Sequence, residues 1–168
     1  MKQVALLLVM VLMVNGCNNM RTLQSTTSGS WQAQVLGGVG QASGFSFITQ
    51  FTVNSDSTLN ISFFQFLTVN TVNGTTPCFP INGGVVAGSI AQYVVNTNDT
   101  VTGTLTYTVT SNGNVLTLVG NLTGTATVTG TPPNTSTTLT SAVVTGNWSV
   151  TGGTGCTGAG GSFTMNQS

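Results

Sequence analysis

Hydrophobic and polar residues alternate through most of the chain after residue 28, which is the pattern of β-strands with one buried face. The clearest stretch is 101–110, where Val101, Leu105, Tyr107 and Val109 share one face and threonines occupy the other. The same period predicts further strands, at 31–35, 45–53, 59–69, 85–95, 116–128, 138–151 and 163–165.

The alternation is imperfect in three of these strands. In 45–53, Thr49 interrupts a face made of phenylalanine and valine. In 85–95 the pattern groups Ala87, Ala91 and Tyr93 on one face. In 59–69 it predicts an inward face and leaves Phe64 and Phe66 pointing outward, which indicates a bulge or a second buried face. That predicted inward face consists of Leu59, Ile61, Phe63, Leu67 and Val69.

Short polar turns separate these strands. Asn and Asp are concentrated at 54–57 and 96–99, Asn112-Gly113 is a strong hairpin signal, and 70–84 contains the prolines and glycines of a longer loop. We therefore predict an all-β fold, a single antiparallel domain of about eight strands in hairpin order. An up-and-down β-barrel is favoured over a β-sandwich because most connections are short.

The first 17 residues follow a different pattern. Lys2 precedes an apolar run from Val4 to Val14, and Asn15-Gly16 separates that run from Cys17. The run is too short for a membrane-spanning helix, which needs about 20 apolar residues, so it is typical of a signal-peptide helix. With Val14 and Gly16 before Cys17, the segment resembles the lipobox of bacterial lipoproteins.

The resemblance implies a lipid anchor. In that family the peptide is cut between the residues that correspond to Gly16 and Cys17, the cysteine sulfur receives a diacylglycerol, and the new amino terminus is acylated, as by palmitate. Two or three acyl chains hold a protein persistently at a bilayer, whereas a single chain holds it only marginally. Because Asn18 rather than aspartate follows the cysteine, the resemblance favours the outer membrane of the cell envelope.

These features divide the chain into three parts: a signal peptide at 1–16, a lipidated amino terminus with a flexible tether at 17–28, and a β domain at 29–168. The chain has only two cationic and two anionic side chains and no histidine. Binding of nucleic acid requires several Lys or Arg residues, so that class of partner is excluded.

If Cys17 carries lipid, Cys78 and Cys156 remain as a pair in an oxidising compartment, and we expect a disulfide between them. Two free thiols are the alternative, because sequence alone does not establish the geometry. In its Thr/Gly/Asn-rich strands, and in the segment Cys78-Phe79-Pro80, the mature chain also resembles uncharacterised bacterial lipoproteins, which implies no activity.

No catalytic, metal or cofactor site is predicted. Asp56 and Asp99 lie in turns where aspartate binds its own backbone, and no histidine, glutamate or mature-chain lysine is present to activate a nucleophile. The glycine spacing of 153–158 matches a dinucleotide fingerprint, but no helix or acidic residue follows it. We therefore do not expect an enzyme.

Two functions stay open: a structural or surface-interaction lipoprotein, and a barrel that holds a small apolar or sugar-like ligand. Gly29-Ser30-Trp31 resembles the Gly-x-Trp of the first strand in lipocalin-like and avidin-like barrels. A filled interior would favour the first function and an open cavity the second. The candidate lining residues are Trp31, Phe45, Phe47, Phe63, Tyr107 and Trp148.

Overall fold

The fold is an eight-stranded antiparallel sheet that curls into a nearly closed barrel. We describe it from a computed structural model, and the ten strands are β1 (Thr26–Val35), β2 (Phe45–Val53), β3 (Leu59–Phe66), β4 (Thr71–Val72), β5 (Thr76–Pro77), β6 (Val85–Val95), β7 (Thr100–Ser111), β8 (Asn114–Thr131), β9 (Asn134–Gly152) and β10 (Gly160–Gln167). The structure describes residues 26–36, 44–67, 71–72, 76–77, 79, 84–96, 98–131, 134–153 and 157–168.

Consecutive long strands pair with each other, except β3 and β6, and the sheet order is β3-β2-β1-β10-β9-β8-β7-β6. The pairing of β1 with β10 brings the first and last strands together, and β1 also makes a short parallel pairing with β9 through Thr26 and Thr27. The predicted all-β class and up-and-down barrel are therefore confirmed, and the alternative sandwich is not formed.

The apolar face of each strand points into the barrel. On β7, Val101, Leu105, Tyr107 and Val109 are all buried, as the alternation predicts. Outward positions carry mainly hydroxyl and amide side chains, which keep a strand surface hydrated without charge.

The predicted inward face of β3 is wrong at Phe63 and Leu67, and Val69 lies outside the described residues. Gln50 of β2 pairs with Phe63, but the adjacent Phe51 pairs with Ile61, so Ser62 is an extra residue in the ladder. Such a bulge reverses the phase of all later side chains. As a result, Phe66 is buried, whereas Phe63 and Leu67 are exposed.

A second bulge changes the phase of β6. Ala91 pairs with Thr104 and Val94 with Thr102, and Gln92 has a positive φ of 53°. Tyr93 lies inward, as predicted, but Ala87 and Ala91 lie outward. Before the bulge, the inward position that is fully buried is Ile90.

Two stretches predicted as irregular contain strand. β1 begins at Thr26, three residues inside the predicted tether, because Thr26 and Thr27 pair with both β2 and β9. The predicted loop 70–84 includes the two-residue strands β4 and β5, which pair with each other. The signal peptide and the rest of the tether, at 1–25, lie outside the described residues.

The barrel has two distinct ends, which we name from their contents. The tether end holds the start of β1, the end of β10 and the turns at 54–58 and 96–99. The far end holds Leu36, the Asn112-Gly113 turn and the β9–β10 connection. The amino- and carboxy-terminal strands therefore enter and leave at the same end.

Candidate functional site

Five of the six predicted lining residues lie inside the barrel, and they pack against other aromatic rings. Phe45 meets Trp148 edge-on at a centroid distance of 5.5 Å, and Phe47 stacks on Tyr107 at 5.7 Å. Trp31 stacks on Phe51 at 5.3 Å. The side chains proposed to surround a ligand thus fill the interior around them.

Phe63, the sixth predicted lining residue, does not face the interior. Its side chain is 40% exposed, because the bulge at Ser62 turns it outward. Phe64 takes the inward place instead, with its ring 5.2 Å from Phe47 and 4.9 Å from Phe66.

Phe79 is a core residue that the sequence analysis did not predict. It is fully buried, and its ring lies 6.0 Å from Phe45 and 5.4 Å from Phe66. Phe45 and Phe66 are at the far end of the barrel, so Phe79 covers the core there. The sequence signal is weak: a single aromatic residue between Cys78 and Pro80, in a loop that also contains Val72 and Ile81.

A buried polar contact crosses the interior where Thr49 breaks the apolar face of β2. Thr49 Oγ1 donates to the Phe63 carbonyl oxygen at 2.9 Å and lies 2.7 Å from the Tyr107 hydroxyl. With its single proton used in this way, Thr49 accepts from Tyr107. Burial raises the pKa of Tyr107, and the hydrogen bond to Thr49 opposes that rise only in part, so the phenol stays protonated and can donate.

The two tryptophans differ in their hydrogen bonding. Trp148 Nε1 donates to the Leu36 carbonyl oxygen at 2.8 Å and so ties the end of β1 to β9. Trp31 is fully buried, and its Nε1 has no acceptor among the described residues. Trp31 is thus held by packing on Phe51.

The barrel is closed only over part of the junction between β3 and β6, which we call the seam. Near the tether end, Thr58 bridges to Ser89 and the Ser57 carbonyl accepts from Ile90 N at 2.9 Å. Leu59 packs over Gly88, where a Cβ atom would lie 2.7 Å from Leu59 Cδ1. This half of the seam is therefore shut.

Towards the far end the two strands separate. No backbone pairing joins β3 and β6 beyond Thr58 within the described part of the chain. A surface cleft of about 300 Å³ lies between them instead. Its lining consists of Ile61, Ser62, Phe63, Phe64, Gly84 and Val86.

The closed half of the seam depends on the turn at 54–58, and the turn at 96–100 repeats its hydrogen bonds between other strands. In both 54–58 and 96–100, the first asparagine Nδ2 donates to the last threonine Oγ1 at 2.9 Å. The fourth residue, Ser57 or Asp99, has a positive φ, and its carbonyl accepts from the neighbouring strand, from Ile90 and Ala126 respectively. The β2–β3 turn thus joins β6 just as the β6–β7 turn joins β8.

The two aspartates belong to these turns. Asp56 Oδ1 accepts from Thr58 N and Thr58 Oγ1 at 3.0 and 2.6 Å, and the hydroxyl bond is the larger cause of the lowered pKa of Asp56. In the second turn Asn98 makes the equivalent contacts with Thr100.

Among the described residues, no group of three His, Cys, Asp or Glu side chains lies close enough to hold a metal ion.

The three cysteines lie outside the described residues, so the lipid and the disulfide stay predictions. The residues that follow two of them in sequence, Phe79 and Thr157, are described. Phe79 follows Cys78 and contacts Phe45, which in turn contacts Trp148. Thr157 follows Cys156, and its hydroxyl donates to the Gly152 and Gly153 carbonyls at the end of β9. Both neighbours are thus at the far end.

Comparison with protein-family models, with curated proteins and with solved structures found no match to this chain. The described residues include no apolar helix of membrane-spanning length.

Proposed function

We propose that this protein is a lipid-anchored lipoprotein of the cell envelope with a structural or surface-interaction role. Asn18, directly after Cys17, favours the outer membrane as its location. The observation that carries the proposal is the position of the first strand. β1 begins at Thr26 on the tether end, and only residues 18–25 separate it from Cys17. At about 3.5 Å per residue, such a segment spans at most roughly 30 Å.

This short tether gives the barrel a direction. With lipid on Cys17, the tether end stays near the bilayer and the far end extends away from it. The far end carries Phe79, the Asn112-Gly113 turn and the open half of the seam. Partners outside the membrane therefore meet that end first.

The filled interior supports a structural or interaction role over ligand storage. A ligand inside the barrel would have to displace rings that already contact one another, such as Phe47, Phe66 and Tyr107. Ligand sites are usually preformed cavities of several hundred Å³. The ligand-binding barrel is therefore the weaker candidate, and no catalytic activity is proposed.

A Cys78–Cys156 disulfide fits the same proposal. Closing a loop of nearly 80 residues stabilises a folded chain by roughly 4 kcal/mol on the chain-entropy model. The bond would tie the connection that carries Phe79 to the end of β9 and hold the aromatic cover in place.

Replacing Cys17 by serine tests the anchor. We expect Cys17→Ser to abolish lipid addition and cleavage before residue 17, because no thiol is left to accept diacylglycerol. Any variant protein that stays in the membrane fraction should then be held there by its uncleaved signal peptide. The measurement is fractionation of cells with metabolic labelling by a tagged fatty acid, in which the variant should incorporate no label.

Cys156→Ser is the matched control, since it makes the same chemical change at a cysteine outside the signal segment and should keep full labelling and membrane retention. A Cys17→Ser protein that is cut at the same bond and retained like the parent would show that the anchor is wrong.

A further inference from the structure

We propose that the open half of the seam binds an extended, uncharged peptide strand from a protein partner, which pairs with the main chain of β3 or β6. The inference rests on the surface-interaction role proposed above, for which it names the class of partner. It does not depend on the lipid, because the seam is formed by the barrel alone.

The first argument is the unpaired backbone. β3 pairs with β2 on one side and β6 pairs with β7 on one side, but among the described residues their facing edges meet only at the tether end. Continuing the antiparallel register from Thr58–Ser89 would place Ser62 opposite Val85. The cleft of about 300 Å³ occupies that position instead. Unpaired strand edges are templates for another strand.

The second argument is that the described edges of β3 and β6 carry no protective side chains. Proteins usually protect an exposed edge with lysine, proline, inward charges or bulges. Neither β3 nor β6 contains a charged residue or a proline. The bulge at Ser62 is an irregularity of β3 that does not cover the edge, since Ser62 itself lines the cleft.

The third argument is the chemistry of the cleft. Ile61, Phe64 and Val86 are half-buried and pack against the core, whereas Phe63 is 40% exposed at the outer rim. A strand directs alternate side chains to opposite faces. A peptide in the cleft would therefore place aliphatic residues inward and could carry hydroxyl residues outward, like the strands of this barrel.

The fourth argument is charge. Among the described residues the only side-chain carboxylates are those of Asp56 and Asp99, and both lie in turns at the tether end, away from the cleft. A lysine or glutamate pointing into the cleft would lose hydration without gaining an opposite charge. The cleft therefore selects for an uncharged strand.

A capped heptapeptide of alternating valine and threonine, labelled with fluorescein, is the probe. Anisotropy titration against the mature lipoprotein in neutral detergent should give saturable binding at about 10–100 μM, a modest affinity for one added strand. Two altered peptides should bind at least about 10-fold more weakly: one N-methylated at alternate residues, which blocks pairing, and one with lysine in place of the central valine.

Hydrogen exchange locates the binding site. With the valine-threonine peptide, exchange should slow at the amides of 60–66 and 84–88. Slowing confined to other strands, or no saturable binding up to about 1 mM, would overturn the proposal. Protection of the same amides at high protein concentration without peptide would assign the seam to a second copy of this chain, and would also overturn it.

Substitutions at two residues of similar exposure test whether the peptide binds at the seam rather than elsewhere on the surface. Phe63 is 40% exposed in the cleft and Val119 is 46% exposed on the outer face of β8. Phe63→Asp should weaken peptide binding at least about 5-fold, and Val119→Asp should leave it unchanged. Equal effects would contradict the proposal. Because membrane labelling of both variants reports on the anchor separately, a failure of peptide binding alone leaves the lipoprotein assignment intact.

Discussion

Replacing Gly146 by alanine should destabilise the barrel by about 3 kcal/mol or more, at the upper end of the usual overpacking cost. Gly146 pairs with Gly120 across β8 and β9. A Cβ atom on Gly146 would overlap the Val119 carbonyl oxygen and Gly120 Cα. Both are backbone atoms, so no side-chain rotation relieves the contact, and the two strands would have to separate.

The glycine pair also makes room for a core ring. A Cβ on Gly120 would lie 2.8 Å from Phe163 Cζ and 2.7 Å from the Thr145 carbonyl oxygen. Thermal unfolding measures the effect, and for a chain of this size the midpoint should fall by about 10 °C.

Gly158→Ala is the control for this experiment. It makes the same chemical change where a Cβ meets nothing within 4 Å, although the φ of Gly158 is +85°. Its cost should be limited to the backbone strain of about 1–2 kcal/mol. Equal losses for the two variants would contradict the close approach of β8 and β9.

Thr49→Val should destabilise the barrel by about 2–4 kcal/mol, although valine has nearly the same shape as threonine. The substitution deprives the Tyr107 hydroxyl of its acceptor and the Phe63 carbonyl of its donor. Each buried polar group left without a partner costs about 1–3 kcal/mol. Urea denaturation gives the free energy of unfolding directly.

A second substitution identifies the cause. Adding Tyr107→Phe to Thr49→Val removes the stranded hydroxyl, so the double variant should recover about 1 kcal/mol relative to Thr49→Val. Thr123→Val, on the exposed face of β8, should change the stability by less than about 0.5 kcal/mol. A double variant less stable than Thr49→Val would rule out the hydrogen bond as the source of the loss.

The sequence predicts this fold well wherever the strands are regular. Along β7 and most of β8, the alternation alone identifies the inward face, because no bulge shifts the phase of β7 and the threonines mark the outer side. The strong Asn112-Gly113 signal also lies at the observed β7–β8 turn. The hairpin order then follows from the short connections.

Prediction fails at the bulges. The extra residues at Ser62 and Gln92 reverse the inward face, and neither residue type marks such a position by itself. In β3, the close spacing of Phe63, Phe64 and Phe66 did indicate an irregularity, but not which ring would turn outward. The prediction that Phe63 lines the interior is therefore wrong.

The most useful features of the site lie beyond sequence patterns. Thr49 looks like an interruption of β2, and its role depends on Tyr107, a residue 58 positions away. The open half of the seam depends on the separation of β3 and β6 after Thr58, and these two strands lie at opposite ends of the sheet order. The core position of Phe79 likewise requires the rings of Phe45 and Phe66 at the far end.

The central claim is that a lipid on Cys17 holds this barrel at the membrane by its tether end. Mass spectrometry of the protein purified from membranes tests it most directly. The account predicts that the mature chain begins at Cys17 and carries a diacylglycerol on sulfur and an acyl chain on nitrogen. An unmodified Cys17, or a mature chain that begins at another residue, would contradict it.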